Sequence, residues 1–312
     1  MTDWIPRIPL ADWTNILVGW ITEAFEGPFD VLNTVIEGMI EGLAAILLAP
    51  PELIIIVALA VMAFLMAGWR IALLTAVGLV LIISLELWDN SMLTLALVLA
   101  SAATALAIAI PIGIVAAKSR TVEAVLRPVL DTMQTMPAFV YLVPVVIILG
   151  LGNSAALIAT VIFAMPPAVR LTMLGIQQVP KETVEAAHAF GSTPWQTLAK
   201  VELPLSVRSI MAGVNQTIML SLSMVVIAAL VGAGGLGVPV IEGLGNLDVG
   251  ASLVGGVGIV ILAVILDRMT RGMERGDGGS ISGIFSRGKS NQTAGAAPVD
   301  AGSSSDGGLG ES

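Results

Sequence analysis

Apolar residues fill most of this chain in long blocks separated by short polar breaks. Blocks at 53–68, 71–87, 92–117, 138–151, 155–169, 210–231 and 249–266 are almost free of charge. Runs of this kind predict membrane-crossing helices, since roughly 20 residues of helix span a hydrocarbon layer about 30 Å thick. Only Trp69 and Arg70 part the first two blocks. The fourth and fifth are short, with Gly150, Gly152, Asn153 and Ser154 marking a turn between them. The pattern therefore predicts about seven spans, or five if the short pair is a tilted hairpin buried inside a bundle.

Residues 12–48 follow a different rule. Trp13, Ile16, Leu17, Trp20, Ile21 and Ala24, then Leu32, Val35, Ile36, Met39, Ile40 and Leu43, recur at helical spacing. Asp12, Glu23, Glu26, Asp30, Glu37 and Glu41 lie between them, and Pro28 breaks the run in two. This predicts a pair of amphipathic helices. A helix that lies on anionic lipid is usually basic. This acidic pair is expected to pack on the spans instead.

Composition agrees with a membrane protein. Of 312 residues 56% are hydrophobic and 12% charged, against about 25% charged in soluble domains. There is no Cys, hence no disulfide or thiolate metal site, and a single His, His188, which excludes a His-cluster metal site. The net charge of −9 argues against nucleic acid as a partner. Four Lys in an acidic chain point to a high-salt habitat. The N-terminal MTDWIPR lacks the basic and apolar regions of a cleavable signal, which leaves targeting to the first span.

Charge also orients the spans. With the polar segment 185–204 placed in the cytoplasm, 13 of the 14 Lys and Arg residues fall inside and only Arg7 falls outside. The N-terminus is then outside and the C-terminus inside. From Gly276 onward Gly, Ser and Ala dominate, as in a disordered tail.

Two nucleotide-binding patterns fail on context. Gly283, Gly288, Lys289 and Ser290 fit a phosphate loop, but the flanks RGDGGSIS and NQTAGAAPVD supply neither strand nor helix. Gly232, Gly234 and Gly237 fit G-x-G-x-x-G, but they end a span on the outer side. No cofactor, metal or catalytic site is expected in this chain. Span interiors carry no charge, with Glu86 and Asp267 at span ends. That argues against a proton-driven carrier but leaves sodium coupling open. The mild polar residues Gln134, Thr135 and Tyr141 in the fourth span and Asn215 and Gln216 in the sixth are candidates for a neutral pathway. Inter-helix hydrogen bonding is the alternative.

The polar segment Glu185–Pro204 has its own local code. Pro180 suits a first helical position, Lys181 to Phe190 can form about three turns, and Gly191 is placed to end them in a left-handed conformation. Thr193 reads as an N-cap with Pro194 at N1 and Gln196 completing a capping box. A second short helix is expected to about Val201, stopped by Leu203-Pro204. Ala186 and Ala187 give this loop a low profile that can enter a groove, with Glu185 beside them.

Glu185-Ala186-Ala187, Gly191, Val201 and Leu203-Pro204 together resemble the signature of permease subunits of ABC importers. DTMQTMPAFVYLVPVV (131–146), FAMPPAVRLTMLGIQQVP (163–180), MAGVNQTIMLSLSMVVIAALVGAGGLG (211–237) and GGVGIVILAVILDR (255–268) resemble the glycine betaine/proline importer type, over about 90–268. The resemblance implies an all-α integral membrane protein with a type I permease bundle in the plasma membrane. It implies a permease homodimer, two cytoplasmic ABC ATPase subunits and an extracytoplasmic substrate-binding protein, with hydrolysis in the ATPase. Glu185, Ala186, Ala187 and Gly191 would sit in the ATPase groove, backed by Leu203 and Pro204. Any aromatic cage for a quaternary amine would belong to the binding protein.

The expected divisions are 1–48 extracytoplasmic helices and 49–89 two additional spans. A permease core at 90–268 contains the coupling loop 170–208, and a cytoplasmic tail takes 269–312. The resemblance implies the permease of an ATP-driven importer for glycine betaine/proline-type compatible solutes, with choline, carnitine or proline carried by the same machine as the alternative. A sodium-coupled secondary carrier or a membrane scaffold are the readings of other classes.

Overall fold

The computed structural model describes residues 10–275. These form fourteen α-helices and one π-helical segment, with no strand among the described residues. The phosphate-loop match at 283–290 and the tail from Gly276 lie outside them.

Helix α1 (Leu10–Ala24) is followed by α2 (Glu26–Leu48). The break falls at Phe25 rather than Pro28. Pro28 stands in the first turn of α2, where a missing N–H costs nothing. Ile36, Ile40 and Ala44 bury one stripe of α2. Ile36 and Ile40 share a core with Leu97, Ala100, Ala156 and Leu157 of the helices behind. So α2 packs on the bundle as its amphipathic pattern predicts. By length and composition alone it is also long and apolar enough to cross a membrane. On α1, Trp13, Ile16, Leu17 and Trp20 stay exposed, and Trp20 meets Phe25 edge to face.

Two 16-residue helices, α3 (Glu52–Ala67) and α4 (Trp69–Ser84), meet at Gly68 and pack on each other. The Arg70 guanidinium lies over the Trp69 ring. At roughly 24 Å each, they are shorter than a typical span.

The centre of the bundle is α5 (Trp88–Lys118), 31 residues and about 45 Å long. It packs against α8 (Asn153–Gln177) and α11 (Leu203–Ser223). Two faces of its first two thirds belong to different cores. Trp88, Met92, Leu95 and Val98 join α3, α4, α11 and α14 (Val249–Arg275). Leu97, Ala100 and Ala105 join α2 and α8. Small residues make this close approach possible. A Cβ on Gly113 would come 2.7 Å from Thr172 Cβ and 2.8 Å from the Val169 carbonyl oxygen.

Three segments differ from the expected spans. The block at 155–169 is the first part of α8, which continues to Gln177 because Arg170 is ion-paired to Asp131 and need not mark an end. The block at 138–151 is the 12-residue α7 (Ala138–Leu149). It follows α6 (Arg120–Thr135) after a bend of 96°. The short element thus turns off α6 at an elbow and folds back on α8 across the Gly150–Gly152 turn, as the hairpin reading expects, with Leu142 packed on Ala159 and Phe163. Finally, α14 runs nine residues past 266, held where Thr270 bonds Asn215. Among the described residues five helices are long and apolar enough to cross a membrane, or six if α6–α7 counts as one broken span.

Replacing Gly113 with Leu should force α5 from α8 and cost about 1–3 kcal/mol, as overpacking generally does. A thermal melt of the purified protein in detergent should show a drop of several degrees. An unchanged melting temperature would show that the helices part without cost.

Candidate functional site

The polar segment lies at one end of the bundle and is built by local rules. After Pro180, which is the N-cap and not the first helical residue, comes α9 (Lys181–Ala189). No side chain of α9 is buried. The helix ends in a Schellman motif, with Gly191 at φ +84°. Ser192 N donates to the Ala187 carbonyl at 3.1 Å, and Gly191 N donates to the His188 carbonyl at 2.9 Å. His188 Nδ1 donates to the Ser192 carbonyl at 3.1 Å and so clasps the same turn from the side.

The second half opens with the expected capping box. Gln196 N donates to Thr193 Oγ1 at 3.4 Å, and Thr193 N donates to Gln196 Oε1 at 3.0 Å. Pro194 is at N1 of α10 (Pro194–Thr197). Leu203-Pro204 does not stop the helix, contrary to expectation. A π-helical segment, Leu198–Glu202, leads straight into α11. The Leu203 N–H reaches back five residues to Leu198. This wider turn accommodates Pro204, whose ring would clash with the carbonyl four residues back in a regular helix.

Glu185, Ala186 and Gly191 are exposed and Ala187 is half-buried. Glu185 also lines a cavity of about 270 Å³ between α5, α8 and α9, together with Lys118, Lys181, Val184 and Glu202. It therefore faces partly back into its own chain. Leu203 is half-buried and Pro204 exposed.

Sequence reasoning missed three residues here. Phe190 and Trp195, on either side of the glycine turn, are 91% and 74% exposed. Large aromatics in a polar loop were the available signal. Glu202, 5% exposed and ion-paired to Lys118, gave no signal, because its partner is 84 positions away.

The candidate pathway residues fall on three helices. Gln134 and Thr135 are exposed at the end of α6. Tyr141, on α7, donates its hydroxyl hydrogen to the Met133 carbonyl at 2.6 Å. That carbonyl would normally bond the N–H of residue 137, which is a proline. The Tyr141 hydroxyl takes the place of the missing donor. Asn215 is turned toward α14, donating to Asp267 Oδ1 at 3.3 Å and accepting from Thr270 Oγ1 at 2.6 Å. Its bonds are those of inter-helix packing. Gln216, the next residue, is exposed.

At the other end of the bundle the glycine pattern 232–237 packs against α5 and α8. It follows a helix, α12 (Val225–Ala229), and precedes α13 (Gly237–Gly245). Leu236 N donates to Thr94 Oγ1 at 2.7 Å, and Gly234 N donates to Asn153 Oδ1 at 3.1 Å. Gly235 has φ +105°, and a Cβ there would meet Thr94 Oγ1 at 2.4 Å. Close approach to α5 accounts for that glycine. Among the described residues no group of three or more His, Cys, Asp or Glu could hold a metal ion.

Residues 109–276 match the family model of the binding-protein-dependent transport system inner membrane component. The chain belongs to this family. The permease is 46% identical over 268 residues to the glycine betaine/proline betaine transport system permease protein ProW of Escherichia coli, covering 86% of this chain and 76% of that one. It is 48% identical over 277 residues to the glycine betaine/carnitine transport permease protein GbuB of Listeria monocytogenes, covering 87% and 97%. Among solved structures, an inward-facing MetNI methionine ABC transporter chain aligns with a TM-score of 0.53 at 23% identity, over 59% of this permease and 92% of that chain.

The described fold is thus that of a type I ABC permease. This chain is a translocation subunit of the inner membrane. It works with a separate ATPase and a substrate-binding protein, and ATP hydrolysis belongs to the former.

Replacing Thr193 with Ala removes one half of the capping box, a loss of about 1 kcal/mol. Limited proteolysis should cut the 189–196 turn several-fold faster in this variant. Equal cleavage rates would mean that the Schellman turn alone orders the loop.

Proposed function

We propose that this permease carries glycine betaine and related compatible solutes inward, as a homodimer with two ATPase subunits docked on α9 and its glycine turn. One observation carries the docking reading. The other exposed large apolar side chains lie mostly on apolar helices that lipid can cover, whereas a pre-ordered polar loop holds Phe190 and Trp195 out in water. Exposed Trp and Phe in a rigid frame are what a partner's groove would take up. A cytoplasmic position for this end is supported by Lys118, Arg120, Arg170, Lys181 and Lys200, which cluster around it.

The substrate reading rests on the relatives, whose names carry glycine betaine. A neutral polar pathway suits a zwitterion with no net charge to balance. Gln134, Thr135, Tyr141 and Gln216 are its proposed lining, while Asn215 ties α11 to α14. Carnitine, choline or proline would use the same machinery.

Reconstitution with the ATPase and the binding protein tests this reading. Uptake should require ATP and both partners. Uptake driven by a sodium gradient without ATP would sink it. Within that system, Gly191→Val places a β-branched residue in a left-handed conformation, at about 1–2 kcal/mol. Uptake and substrate-stimulated hydrolysis should fall roughly tenfold, and wild-type rates would remove the turn from the mechanism. Truncating Trp195 to Ala should weaken ATPase affinity about 30-fold, the loss of one hot spot. Glu185→Lys adds a cation beside Lys118 and Lys181 and should lower the amount of ATPase that co-purifies. Wild-type co-purification of both variants would place the ATPase elsewhere.

A further inference from the structure

We infer that Lys118 and Glu202 form the strut that passes movement of the ATPase-docking loop into the spans. The inference deepens the docking reading above and rests on it. Its residues are positioning residues and touch neither solute nor nucleotide.

The geometry has three parts. The first is the pair itself. Glu202 is the last residue of the π-helical segment and is 5% exposed. Lys118 is its ion-pair partner. A carboxylate that far from water needs its cation, and removing Lys118 strands it, whereas Lys118 itself is 44% exposed and keeps contact with water. The buried end makes the contact stiffer against separation than a pair exposed at both ends.

The second part is what Glu202 is attached to. Within seven residues the chain runs from exposed Trp195 through buried Thr197 and Leu198 to Glu202. Glu185 of α9 lines the same small cavity as Lys118, Lys181 and Glu202. A push on α9 or Trp195 thus arrives at this cavity by two routes. π-Helical turns are commonly sites of function, where a helix can shift its register.

The third part is what Lys118 is attached to. It is the last residue of α5, and only Ser119 separates it from α6. Ser119 is the N-cap of α6, accepting a hydrogen bond from Val122 N. From there α6 leads to the 96° bend and to the candidate pathway residues Gln134, Thr135 and Tyr141. In the other direction α5 crosses the whole bundle to Thr94, which holds the glycine-rich turn at the far end. One ion pair thus joins the docking loop to the helix that runs on to the candidate pathway residues at one end and to the glycine-rich turn at the other.

The test uses the complete reconstituted transporter and measures ATP hydrolysed per solute imported, alongside ATPase co-purification. Lys118→Met and Glu202→Gln should each retain the ATPase at wild-type ratio yet raise the ATP cost per solute about tenfold or more. The exchanged variant K118E/E202K should return to within about threefold of wild type, because the pair is restored with its ends reversed. Wild-type coupling in the single variants overturns the strut. So does an exchange that fails to restore coupling. Loss of co-purification in the single variants also overturns it, assigning the pair to docking or folding. If the wild-type complex itself imports solute without ATP, the docking reading falls with the strut, which separates the two failures.

Discussion

In a bilayer core no water is available to satisfy a backbone amide, so every break in a helix must be closed by the protein itself. Three irregular points of the described structure show the protein closing such breaks itself. Where Pro137 withholds an N–H, the Tyr141 hydroxyl supplies the donor for the Met133 carbonyl. Where α12 ends, Thr94 and Asn153 accept the freed amides of Leu236 and Gly234. Where Pro204 would break a helix, a π-helical turn carries the hydrogen bonding across. The bends of the bundle are therefore specific, because each has one side chain or one turn that closes it.

The polar loop around Gly191 obeys the opposite condition. It sits at the end of the bundle, where water can reach it, and buries none of α9. Its order comes from within, through the Schellman turn at Gly191 and the capping box at Thr193. A surface shaped before a partner arrives loses less entropy on binding. That pre-ordering lets Phe190 and Trp195 stand exposed without collapsing onto the bundle. The same loop is anchored behind by buried Thr197, Leu198 and Glu202. It is rigid toward the spans and open toward a partner.

Much of this was legible in the sequence because the rules involved are local. The capping box, the left-handed glycine and the helix pair around it depend on residues within four or five positions of one another. Apolar block length marked the long helices α5, α11 and α14 but not α8, whose block read as short, and helical spacing marked the buried stripe Ile36–Ile40–Ala44 on α2. Charge gave less reliable punctuation. Arg170 read as the end of a span because a lone cation is costly in lipid, yet Asp131, 39 positions away, neutralises it. Leu203-Pro204 read as a stop because proline breaks a regular helix, and the wider turn that admits it needs the buried anchor behind.

The chain's own order of residues determined that this is a helical membrane protein with one ordered polar loop, and it carried the permease signature on that loop. Tertiary structure alone decided which helices share a core, that α6 and α7 form an elbow, that Asn215 bonds α14, and that Lys118 meets Glu202. The reason is the range of the forces. Helix formation and capping act within a few residues, whereas burial and charge neutralisation join positions dozens apart that no local pattern connects.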